Sequence, residues 1–124
     1  VARKMIEIIS QKISPEMLIV LCENSFKTMV KFVVDIKQNR IAVGGDLHAD
    51  GESLLLKTGS DQDNLWGANL YPYKKGENRL EYTSLINIRP RQENNSMQIE
   101  NPELQATVKS LAETLLLGAN EDLA

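Results

Sequence analysis

Val30-Lys31-Phe32-Val33-Val34-Asp35-Ile36, then Lys37-Gln38-Asn39-Arg40, then Ile41-Ala42-Val43-Gly44-Gly45, is the stretch that decides the fold. Two runs rich in β-branched and aromatic residues flank a short polar loop. That pattern predicts a β-hairpin, with Gly44-Gly45 ending its second strand. A connection this short joins antiparallel strands.

The pattern extends in both directions. Met5 to Ile9 reads as a short strand. Ser14-Pro15-Glu16 is a helix start: a capping hydroxyl, a proline suited to the first helical position, and an acid for the positive end of the dipole. This helix is expected to run from 15 to about 27. Its apolar residues fall all round, so more than one side must be covered, by its own domain or by a second subunit. Beyond the hairpin, Asp46 to Lys57 is weakly helical, with Leu47, Leu54 and Leu55 on one side and Gly59 as its stop. Gly51 weakens that helix and leaves a strand over Ser53 to Lys57 as the alternative. Ser60 to Asn64 is a polar loop. Leu65 to Tyr73 and Arg79 to Arg89 read as two strands joined by the turn Lys74 to Asn78. Leu80, Tyr82, Ile86 and Ile88 supply the second strand's alternation, and Pro90 ends it. After the loop Gln92 to Ser96, Met97 to Ile99 reads as a short edge strand. Asn101-Pro102-Glu103 opens a second strong helix. Leu104, Val108, Leu111 and Leu115 repeat along it, and Gly118 closes it.

Strands in neighbouring hairpins with segregated helices argue an α+β fold. The expectation is a largely antiparallel sheet of about five strands, with two main helices and one short helix packed on one face. Residues 1–118 are expected to form a single domain and 119–124 a frayed tail.

With 124 residues, 42% of them apolar and 25% charged, the chain has the composition of one ordinary globular domain. Its net charge of -3 argues against a general nucleic-acid coat. A lone cysteine, Cys22, excludes an intrachain disulfide framework and a cysteine zinc cluster. It sits in an apolar run and is expected to be a buried, inert thiol. No apolar run approaches the roughly 20 residues of a membrane span, and Glu7 breaks the apolar patch near the start too early for a secretory signal. No membrane partner and a cytoplasmic location are therefore expected.

Three ungapped segments carry a resemblance: Gly44-Gly45-Asp46-Leu47-His48-Ala49-Asp50, Leu65-Trp66-Gly67-Ala68-Asn69-Leu70-Tyr71-Pro72, and Glu81-Tyr82-Thr83-Ser84-Leu85-Ile86-Asn87-Ile88-Arg89-Pro90. Through them the chain resembles a family of small bacterial proteins, cyanobacterial ones included, that constitute a domain of unknown function. The resemblance implies a bacterial domain and carries no activity. Gly51 departs from it, standing where a small non-glycine residue is expected.

Asp46, His48, Asp50 and Glu52 lie two apart. On a strand all four share a face; on a helix His48 and Glu52 do. Either way an imidazole can stand beside a carboxylate. That combination suits a divalent metal, or a general base with His48 and Asp50 as its catalytic pair. No other cofactor is implied. The bland reading has Asp46 capping a helix and Asp50 and Glu52 complementing its dipole. Ser53, Ser60 and Ser84 sit in no nucleophile elbow. Asp46, Glu52, Asn69, Asn87 and Arg89 are candidate binding residues, the last three polar where strand neighbours are apolar.

Residues 74–91 hold five bases (Lys74, Lys75, Arg79, Arg89, Arg91) and two acids, interleaved with tyrosines. Bases with aromatics can grip single-stranded RNA, although the overall acidity opposes it. Trp66 suits the core or its rim. Leu115-Leu116-Leu117 and the all-apolar first helix suggest a homodimer through the 15–27 and 102–117 helices. Three functions follow, in order: a module binding a small ligand or protein partner; a small metal-dependent or acid/base hydrolase at the Asp46–Glu52 cluster; an RNA-binding or toxin-like module.

Overall fold

A computed structural model describes residues 5–123 of the chain. At its centre stands the hairpin of β2 (Val30–Asp35) and β3 (Arg40–Gly44). Asn39, with φ of 54°, takes the left-handed turn position that asparagine tolerates. Buried Asp35 fastens the loop, its Oδ1 accepting the Lys37 and Gln38 N–H groups at 2.9 Å each. β1 (Ile6–Ile9) pairs with β3, β4 (Leu65–Leu70) with β2, and β5 (Leu80–Glu81) with β4. All pairs are antiparallel, giving a five-stranded sheet in the order β1-β3-β2-β4-β5. With α1 (Pro15–Glu23), α2 (His48–Lys57) and α3 (Pro102–Leu115) this is the expected α+β fold. Gly44 closes β3 at φ of 110°; a side chain there would run into the Met5 carbonyl.

The helices cover both faces of the sheet, not one. Phe32, Val34, Ile41, Val43, Trp66, Ala68 and Leu70 face the α1 and α3 side, against Leu18, Leu21, Val108 and Leu115. Val33, Ala42 and Leu65 face Leu55 of α2. β2 and β3 are apolar at successive positions because both of their faces are covered. Leu116 and Leu117 bury within the chain as well, and so does Cys22.

Several elements differ from expectation, among them β4, which ends at Leu70 rather than Tyr73. α1 stops at Glu23, four residues early. The Lys27 N–H turns back to the Cys22 carbonyl at 2.8 Å, with Lys27 left-handed at φ of 69°. The long strand expected over Arg79 to Arg89 is only β5. The Ser84 hydroxyl accepts the Ile86 N–H at 3.2 Å and starts a 3-10 turn over Leu85–Asn87. Met97 to Ile99 contributes a single bridge, Gln98 to Thr83. Beyond Gly118, Glu121 accepts from the Gly118 N–H and from Lys12, and Arg79 donates to the Gly118 carbonyl.

Candidate functional site

α2 decides the geometry of the polar cluster. Asp46 was the expected cap, but the capping position falls on Leu47, which supplies no side-chain bond. The Asp50 N–H turns back to the Leu47 carbonyl at 3.1 Å, and the His48 and Ala49 N–H groups are left for solvent or a ligand. His48, the first helical residue, turns into the molecule and is only 8% exposed. Its Nε2 lies 2.8 Å from the Ala68 carbonyl of β4. A carbonyl can only accept, so Nε2 carries the proton and Nδ1 remains an acceptor. Burial pushes the imidazole pKa down to about 4, and Lys31 adds to the push; the Ala68 bond, the Asn69 side chain and Glu81 oppose it. His48 is thus a neutral imidazole at pH 7.

Beside it stands Asn69 of β4, 5% exposed. Its Nδ2 donates to Glu81 Oε1 at 2.7 Å and to the Thr83 carbonyl at 3.5 Å. Both partners are acceptors, which fixes the amide's orientation and turns Oδ1 away from them. That Oδ1 is buried and has no hydrogen-bond partner. Such a group carries a desolvation cost of about 1–3 kcal/mol, recovered when a donor arrives.

Both residues line a cavity of about 300 Å³ between the start of α2 and the 83–86 turn. Lys31 of β2, directly across from Asn69 in the ladder, lines it too. Its lip is apolar. Leu47, Leu85 and Met97 are 59%, 72% and 41% exposed there. The arrangement joins a polar floor to an apolar mouth, the usual chemistry of a small-ligand site.

The other predicted residues lie elsewhere. Asp46 and Asp50 are exposed. Glu52 acts on Arg89. Among the described residues, no group of three or more His, Cys, Asp or Glu side chains is placed to hold a metal ion. Asn87 is a fully engaged bridge: its Oδ1 accepts the Gly67 N–H and its Nδ2 donates to the Gly67 and Met97 carbonyls. It does for β4 what a neighbouring strand would do. Buried Arg89 donates to the Gln62 and Leu65 carbonyls, and its guanidinium stacks 3.9 Å over the Trp66 ring. Burial lowers its pKa.

The other bases of 74–91 each have a partner within the chain, although only Arg79 is buried. Arg79 is buried on the Lys74 and Gly118 carbonyls. Lys75 and Arg91 pair with Asp122 and Asp63, and Lys74 stacks on Tyr71. Sequence reasoning missed Lys31, Leu47 and the turn residues. Lys31 did carry a signal, as a charge interrupting the apolar run of β2.

The model of a family described as protein of unknown function (DUF5674) matches residues 7–115, so the chain belongs to that family. No curated protein and no solved structure matches it. No helix among the described residues is long and apolar enough to cross a membrane.

Proposed function

We propose that this member of the family is a binding module working in the cytoplasm, and that its ligand occupies the cavity between α2 and the 83–86 turn. The observation that carries the reading is the pair of acceptors on its floor. Asn69 Oδ1 is buried without a donor, and His48 Nδ1 is left as an acceptor beside it. A ligand with an N–H or O–H donor satisfies them, and an apolar body covers Leu47, Leu85 and Met97. Binding is favoured over acid/base hydrolysis because His48 is oriented by a carbonyl rather than a carboxylate. Asp46 and Asp50, the acids that would assist it, face solvent. A cytoplasmic setting is supported by the lone cysteine, which leaves no intrachain disulfide framework.

The test is an NMR titration of ¹⁵N-labelled protein with isobutyramide and benzamide, each an apolar body with an amide donor. Amide shifts at Lys31, His48, Asn69 and Ser84 are expected, saturating together. Saturation with shifts only elsewhere, or no shifts up to the solubility limit, would refute the reading.

A further inference from the structure

We infer that the ligand class of this cavity is a free α-amino acid with an apolar side chain, held as its zwitterion. This rests on the binding reading above and adds the charge pattern of the floor. Lys31, Asn69 and Glu81 stand in register across β2, β4 and β5. Paired residues on adjacent strands share one face of the sheet. The row therefore runs cation, amide, anion, one strand spacing apart.

Lys31 and Asn69, the two members of the row that line the cavity, fit the two ends of a zwitterion. Lys31 forms no salt bridge among the described residues; its Nζ rests 5.3 Å over the exposed Phe26 ring. The uncapped start of α2, at Leu47 and His48, lines the same cavity. Helix N–H groups with a lysine beside them suit a carboxylate. Away from Lys31 the lining holds two unused acceptors, Asn69 Oδ1 and His48 Nδ1; Glu81, which does not line the cavity, holds the Asn69 amide. An ammonium has three donors to give them. A neutral amide would satisfy the acceptors and leave Lys31 unused. A bare amine would meet Lys31 as a like charge. In an α-amino acid the two charged groups flank one carbon, and the side chain leaves in a third direction, here toward Leu85 and Met97 at the lip. A volume of about 300 Å³ admits a single small molecule.

The experiment is calorimetric titration of the full chain with L-leucine, 3-methylbutylamine, 4-methylpentanoate, glycine and N-acetyl-L-leucine. Leucine is expected to bind at least tenfold more tightly than each of the others, since each lacks one charge-assisted or apolar contact. Lys31→Met is expected to weaken leucine about tenfold or more and to leave 3-methylbutylamine unweakened. Lys31 lies near the start of β2 and its ammonium touches only the exposed Phe26 ring, so this variant keeps the fold. N-acetyl-L-leucine binding as tightly as leucine would overturn the zwitterion and indicate a polypeptide C-terminus instead. Equal binding of the amine would overturn the carboxylate's role. Isobutyramide shifting the cavity amides while leucine does not bind would remove this inference and leave the binding module standing; silence from both would remove both.

Discussion

His48 buries an imidazole with one hydrogen bond to a carbonyl, and the consequence is a pH-dependent stability. Unfolded, it takes a proton near pH 6.5; folded, it does so only near pH 4. Between those values the unfolded chain binds more protons, so stability must fall as pH falls. The contribution is intact above pH 6.5 and is lost on descending to pH 4. At about 1.4 kcal/mol per pH unit, the full loss is about 3 kcal/mol. Urea melts at pH 7 and pH 4.5 read this directly. His48→Gln keeps an N–H for the Ala68 carbonyl and is expected to flatten the slope; an unchanged slope would assign the effect to other groups. At this scale His48 was legible in the sequence, because a lone histidine in an acidic stretch stands out. Its partners were not. The alternation that draws attention to Asp46, Asp50 and Glu52 belongs to a strand, whereas α2 sends successive residues 100° apart. His48 turns inward and the exposed acids outward.

At the scale of elements, two glycines set the distances on which the site depends. Gly51 weakens α2 as a sequence, yet it lies against the sheet. A Cβ there would stand 3.2 Å from Val33 Cγ2 and 3.4 Å from the Ala42 Cβ. Its absence lets helix and sheet approach, and that approach places His48 against β4. Gly51→Val adds three carbons where Ala42 cannot yield. It should destabilise by about 2–3 kcal/mol, measured by denaturant melts. Gly67 plays the same part on β4. A Cβ there would sit 2.7 Å from the Ser84 Cβ and 3.1 Å from His48 Cδ2. Gly67→Ala should cost about 1–3 kcal/mol and shift the Ser84 and His48 amide resonances together. A neutral substitution at either position would mean that the packing gives way more easily than its geometry implies. The hairpin, α1's start and α3 were legible because capping residues and strand runs are local signals. The false strand over Arg79 to Arg89 was not. The Ser84 turn that breaks it is held in place by a side chain, Asn87, pairing with Gly67 twenty residues away. Periodicity carries no trace of such a bond.

The whole molecule is one sheet shared by two unequal layers. The α1 and α3 layer contains most of the buried apolar side chains; the apolar cluster under α2 has four, Val33, Ala42, Leu55 and Leu65. Cooperative units open in proportion to what they expose. α2 should therefore unfold locally at lower free energy than the sheet or the other two helices. Its two ends are held differently. At the C-terminal end Arg40 donates to the Leu55 and Thr58 carbonyls and to Ser60, which in turn donates to buried Asp35 at 2.6 Å. At the N-terminal end no side chain caps the helix, and His48 makes one bond to Ala68. Opening should begin at the end that borders the cavity. Native-state hydrogen exchange tests this. Amides of the second half of α2 are expected to exchange through a local opening with weak denaturant dependence, and those of β2 and β3 only on global unfolding. Arg40→Met releases the anchored end and should speed exchange throughout α2, while β2 and β3 continue to exchange through global unfolding alone. A ligand bridging Lys31 and the helix start should slow α2 selectively, because it fastens the loose end to the sheet. Equal protection of α2 and the central strands in the free protein would mean that the two layers open as one, and α2 would then lose its independence as the element that admits the ligand.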